Sequence, residues 1–110
     1  MGHRVGLGEF EEKVLLAVAH LGDEAYGTTI QETLEQAGRR AVSGAIFATL
    51  DRLEEKGLVS SSMGQPLPER GGKARRYYRI EGAGHRALDE EERTRAALRA
   101  PRPALEGWAR

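Results

Sequence analysis

The chain contains no cysteine, which excludes disulfide scaffolds, Cys-zinc sites and thiol chemistry. Aromatic residues are scarce, at 5%. No run approaches the roughly 18 consecutive apolar residues of a membrane-spanning helix, and no membrane partner is expected. The opening MGHRVGLGEFEEK lacks the apolar core of a signal peptide, so the expected location is cytoplasmic. Net charge is missing too: 17 Lys and Arg stand against 17 Asp and Glu in 110 residues. At this length one small domain with a modest core is expected, with little room for a large enclosed active site.

The zero charge is a cancellation. Residues 1–38 carry two basic and seven acidic side chains, residues 39–80 nine and four, and residues 81–110 six of each. Asymmetry of this kind points to a polyanion-binding face in the middle of the chain.

Periodicity sets out the elements. Leu7, Phe10, Val14, Ala17, Val18 and Leu21 recur at steps of three and four, the pattern of one apolar helix face, and Gly22 is placed to stop that helix. A second helix opens near Tyr26-Gly27-Thr28, with capping-box spacing at Thr28 and Gln31. Ile30, Leu34 and Ala37 form its stripe, and Gly38 ends it. Ser43 is placed to cap a third helix that buries Ile46, Leu50 and Leu53 and ends at Gly57. Leu58–Met63 and Arg75–Ile80 read as two strands. Between them, the ten residues from Gly64 to Lys73 include two prolines and three glycines, and such a composition makes a loop. Helix formers return from Ala83 to Ala100, and Pro101 and Pro103 terminate that helix.

Few residues offer enzymatic chemistry. His3, His20 and His85 have no ligand-like spacing, so no metal site is expected. The run Asp89-Glu90-Glu91-Glu92 is best read as a solvated helix face laced by nearby arginines. Ser60-Ser61-Ser62 has no accompanying base, and Gly71-Gly72-Lys73 lacks the Walker spacing and precedes a strand. No catalytic residue, no cofactor and no enzymatic activity are expected.

The segment from Arg70 to Arg79 differs, with five basic residues, no acidic ones and two tyrosines. Cations on a loop reach phosphates and release counterions, although arginines also protect an edge hairpin from aggregation. Three short helices followed by a hairpin with a basic loop give the order of a winged helix-turn-helix. The third helix would enter the major groove with Ser43, Gly44, Ala45 and Ala48, small enough for close approach, and with Thr49 and Arg52 as hydrogen-bonding groups. Arg39 and Arg40, just upstream, would meet the backbone, as would Arg70, Lys73, Arg75 and Arg76 in the wing.

Residues 7–98 resemble the PadR family of transcriptional regulators. The resemblance is carried by Leu7-Gly8-Glu9-Phe10-Glu11 and by Leu21-Gly22-Asp23-Glu24-Ala25-Tyr26-Gly27. It continues through the third helix from Gly44 to Val59, then Pro68-Glu69-Arg70-Gly71-Gly72, Arg76-Tyr77-Tyr78-Arg79-Ile80 and Gly84. The length resembles the short subfamily with a single C-terminal helix.

The resemblance implies a mainly α protein with a small β-hairpin. Its winged helix-turn-helix would occupy residues 1–81, and a C-terminal dimerisation helix and tail would occupy residues 82–110. It also implies a homodimeric repressor of a neighbouring operon, with Leu7, Phe10, Leu88, Glu91, Arg95 and Leu98 at the dimer interface. Two-fold symmetry would match a pseudo-palindromic operator in double-stranded DNA. Departures are visible. Phe47-Ala48 stands where the family often has a tyrosine-proline pair. Glu92-Arg93-Thr94-Arg95 stands where some short members place a drug-binding tryptophan, and Trp108 lies beyond both prolines. A small-molecule effector site at the dimer interface and a winged-helix protein-interaction module are the alternative functions.

Overall fold

The structure is a computed structural model and describes residues 6–66 and 74–102. Its first helix, α1, spans Glu9–Leu21. Glu9, Glu11 and Glu12 occupy its first turn, where the helix dipole favours anions. The Glu11 carboxylate accepts the Gly8 backbone N–H at 2.8 Å, satisfying one donor that the helix start leaves open. Gly22, at φ 59°, turns the chain into a short 3-10 turn at Gly22–Glu24 that the periodicity did not announce.

Helix α2 covers Gly27–Gln36, with Tyr26 as the residue before it. The expected pairing of Thr28 with Gln31 does not form. A start at Gly27 puts Thr29 in the capping position, and its hydroxyl accepts the Tyr26 N–H at 3.0 Å. The Gln31 amide instead donates to the Ala41 carbonyl, tying α2 to the loop that follows. Helix α3 covers Ser43–Glu55, so Val42 takes the N-cap and Ser43 is the first helical residue rather than the cap.

Strand β1 (Val59–Pro66) pairs antiparallel with β2 (Ala74–Ile80), Val59 opposite Ile80 and Ser61 opposite Tyr78. The ladder becomes irregular between Met63 and Pro66. The Tyr78 N–H donates to the Ala25 carbonyl at 2.9 Å, and Tyr26 bridges Tyr77. The segment before α2 therefore props the hairpin root against the helices.

One core joins these parts: Val14, Leu15 and Val18 of α1, Ile30 and Leu34 of α2, Ile46, Leu50 and Leu53 of α3, and Leu58, Val59 and Tyr78. Leu15 lies outside the expected stripe of α1 yet is fully buried, because α2, α3 and the hairpin together surround more than one face of that helix. Burial pushes the Tyr78 phenol above its ordinary pKa.

Helix α4 (Gly82–Arg99) starts on the body and then leaves it. Gly84 is buried there because a side chain would run into the Leu58 carbonyl oxygen and come within 2.7 Å of Ile80 Cγ1. Ala83, Ala87 and Leu88 pack on the core, whereas every residue from Glu92 to Ala100 is exposed. Among the described residues no helix is long and apolar enough to cross a membrane.

Candidate nucleic-acid interface

The outward surface of α3 divides into two halves. From Val42 to Ala48 every residue but Ile46 is exposed, and the only polar side chain among the exposed ones is Ser43. Gly44, Ala45 and Ala48 keep this half low. Val42 is 71% exposed and Phe47 43%. Beyond Ala48 the exposed positions of α3 are Asp51, Arg52, Glu54 and Glu55, three of the four acidic. A phosphate backbone would be repelled by the second half and admitted by the first.

Of the two hydrogen-bonding residues assigned to base reading, Thr49 is turned inward, while Arg52 stays exposed and is engaged by its own chain. Thr49 is buried, at 1% exposure, because its position falls on the same face as Ile46 and Leu53. The expectation that it meets a base edge is corrected on that ground. Its hydroxyl instead accepts from Arg52 Nη2 at 3.2 Å. Arg52, in turn, leans toward α1, with Nε 3.5 Å from the Glu11 carboxylate.

Glu11 is the centre of this arrangement. It is 8% exposed and accepts from Lys56 Nζ at 2.9 Å on both carboxylate oxygens. Burial alone would raise its pKa. The Gly8 N–H and the Lys56 ammonium outweigh burial and hold the carboxyl below the ordinary value of 4.5. The cations on the C-terminal half of α3 therefore serve the contact with α1.

Arg39 is likewise engaged. Nε and Nη2 bind the two Glu9 oxygens at 3.2 and 3.1 Å, and the guanidinium lies 4.7 Å from the Phe10 ring centroid. The Arg39 bond holds the Glu9 carboxyl below its ordinary pKa. Arg39 thus closes α1 against the α2–α3 connection, through an ion pair that stays partly exposed. Arg40 is exposed and lies 3.5 Å from Glu35.

The wing cations have a different setting. Arg75 lies 4.1 Å from the Tyr26 ring centroid, and Tyr26 meets Tyr77 edge-on at 5.3 Å. Arg76, on the opposite face of β2, donates to the Ser61 hydroxyl at 3.0 Å. Among the described residues neither has a carboxylate within ion-pair distance. Arg79, farther from the tip, lies 3.4 Å from Asp23. Arg70 and Lys73 lie outside the described residues, as does Trp108.

Of the residues expected at a dimer interface, Leu7, Phe10 and Leu88 pack partly on the chain's own core, and Glu91 is half-buried. Arg95 Nη2 binds the Glu12 carboxylate of α1 at 2.6 Å and Leu98 is exposed. Sequence reasoning missed Glu11, Tyr26 and Tyr77 as organising residues and Val42 as part of the exposed half of α3. The Tyr26-Gly27 pair was the available signal for the wing support. No group of three or more His, Asp or Glu gathers as a metal ion would require among the described residues.

Comparison with known proteins agrees with this geometry. Residues 15–90 match the model of the transcriptional regulator PadR-like family. A transcriptional regulator of Mycobacterium tuberculosis is 39% identical over 75 residues, covering 67% of this chain and 66% of its own, just under two thirds of its length. A PadR-like transcription factor from Bacteroides fragilis superposes with a TM-score of 0.66 at 29% identity, covering 81% of this chain and 82% of that one. A PadR family regulator from Eggerthella lenta gives 0.64 at 30% identity, covering 77% and 72%. With the winged arrangement of α1–α3 and the hairpin in place, the chain belongs to the PadR-like family of transcriptional regulators.

Proposed function

We propose that the protein binds double-stranded DNA as a homodimer and represses a neighbouring operon through a pseudo-palindromic operator. The observation that carries this reading is the contrast in cation use. Arg39, Arg52, Lys56 and Arg95 are bound to carboxylates of α1, whereas Arg75 and Arg76 of the wing are not. The α3 surface, for its part, is exposed and free of carboxylates from Val42 as far as Ala48, apart from buried Ile46.

In this reading Ser43, Gly44, Ala45 and Ala48 enter the major groove, while Arg40, Arg70, Lys73, Arg75 and Arg76 approach phosphates. The DNA-binding unit is the winged helix-turn-helix assigned to residues 1–81, and α4 is the dimerisation element. Most helical stability in proteins comes from packing of an amphipathic face rather than from propensity, and α4 from Glu92 onward is exposed in its own chain. A second copy, meeting Leu98, Glu91, Arg95 and Leu88 with help from Leu7 and Phe10, would supply the missing cover.

The test is a mobility-shift titration on the intergenic DNA upstream of the gene, against unrelated DNA of equal length. Preferential binding of the upstream fragment supports the reading. Equal or absent binding contradicts it.

A further inference from the structure

Resting on the DNA-binding reading above, we infer that α3 selects its DNA through the 5-methyl groups of thymine rather than through arginine–guanine contacts. The exposed half of α3 presents Val42, Ala45, Phe47 and Ala48 around Gly44, with Ser43 the one polar side chain. The next arginine, Arg52, lies one turn beyond Ala48 and, though exposed, has its guanidinium engaged by Glu11 and Thr49. Thr49 is buried and Asp51 accepts but does not donate. Guanine is normally read by a two-pronged Arg or Lys on O6 and N7, and this surface has neither to offer. The apolar feature on the major-groove edge of a base pair is the C5-methyl of thymine.

Phe47 is held for this contact. Its ring lies across Gly27, the first residue of α2, so closely that a side chain there would come within 2.6 Å of Cζ. The ring is supported on one side by the α2 backbone and left 43% exposed on the other. An aromatic fixed in this way loses little rotamer freedom on binding. Large apolar groups left in water carry a cost unless function uses them, and Val42 and Phe47 together mark this half of α3 as a contact surface. The wing arginines supply the phosphate attraction and carry no base preference. Selectivity at α3 then comes from where thymines fall.

The experiment takes the tightest duplex selected from a random-sequence library and remakes it with deoxyuridine in place of every thymidine. The substitution removes methyl groups and leaves the pairing edges intact. We expect the uracil duplex to bind more weakly, by about fourfold for each methyl group that α3 had covered, the methylene burial constant converted to an affinity ratio. Phe47→Ala should bring the two duplexes closer together, and Phe47→Leu should keep most of the difference. Circular dichroism confirms that both variants are folded. Equal affinity for the two duplexes overturns the thymine-methyl reading alone, and an undiminished preference in a folded Phe47→Ala protein overturns the part of it assigned to Phe47. Recovery of no duplex at all from the library overturns the DNA-binding reading beneath it.

Discussion

Glu11→Gln tests the joint between α1 and the recognition helix. The carboxylate receives two hydrogen bonds of 2.9 Å from Lys56, one of 2.8 Å from Gly8 and a longer approach of 3.5 Å from Arg52. Hydrogen bonds to charged groups contribute about 1.5–3 kcal/mol net. The neutral amide keeps one acceptor oxygen, and the Lys56 side chain is 33% exposed, so water recovers part of the loss. The expected cost at about pH 7 is therefore about 1–2 kcal/mol, or roughly 5–10 °C in the melting temperature of a domain this small. The sign with pH follows from the lowered Glu11 pKa. A carboxylate whose folded pKa lies below its unfolded value contributes stability above the unfolded value and loses it as pH falls through the folded one. The gap between wild type and variant should narrow steadily as pH falls below the ordinary value of 4.5. Urea unfolding of both proteins across that range measures it. A variant as stable as wild type at neutral pH, or a penalty that does not change with pH, would refute the reasoning.

Three further outcomes follow from the same geometry. Gly84→Ala should cost about 1–3 kcal/mol by overpacking, since the obstructing Leu58 oxygen is backbone and cannot swing aside; a thermal melt checks it. Arg95→Ala leaves the Glu12 carboxylate, 11% exposed, without its partner on α4. Hydrogen exchange along α4 should then rise more than in α2. Leu98→Glu, at a site 80% exposed in one chain, should leave the monomer's stability unchanged while shifting sedimentation toward the monomer; an unchanged sedimentation profile would remove Leu98 from the dimer interface.

Much of the fold was readable from local rules. The glycines at 22, 38 and 57 all adopt positive φ at helix ends, as their placement suggested, and the stripe of Ile46, Leu50 and Leu53 is buried. Where reading fell short, a distant partner decided. Arg39 meets Glu9 thirty residues away, and Arg52 turns toward Glu11. No spacing within either segment encodes that choice. Thr49 was misplaced for a different reason: a small hydroxyl residue is tolerated on either side of a helix. The angular position beside Leu53 was the better guide than the side-chain type. Nothing in the sequence marks Val42 and Phe47 as exposed, because apolar residues are expected inside and only packing reveals the ones that stay outside.

The central claim is that a basic wing and an uncharged helix face bind DNA together. Its most direct test is fluorescence anisotropy on the upstream fragment over a salt series, for wild type and for the Arg75→Glu, Arg76→Glu double variant. We expect a linear fall of log affinity with log salt, a weaker variant, and a slope reduced by about 0.9 for each phosphate no longer neutralised. A wild-type affinity independent of salt, or a variant that binds as tightly as wild type with an unchanged slope, would contradict the claim.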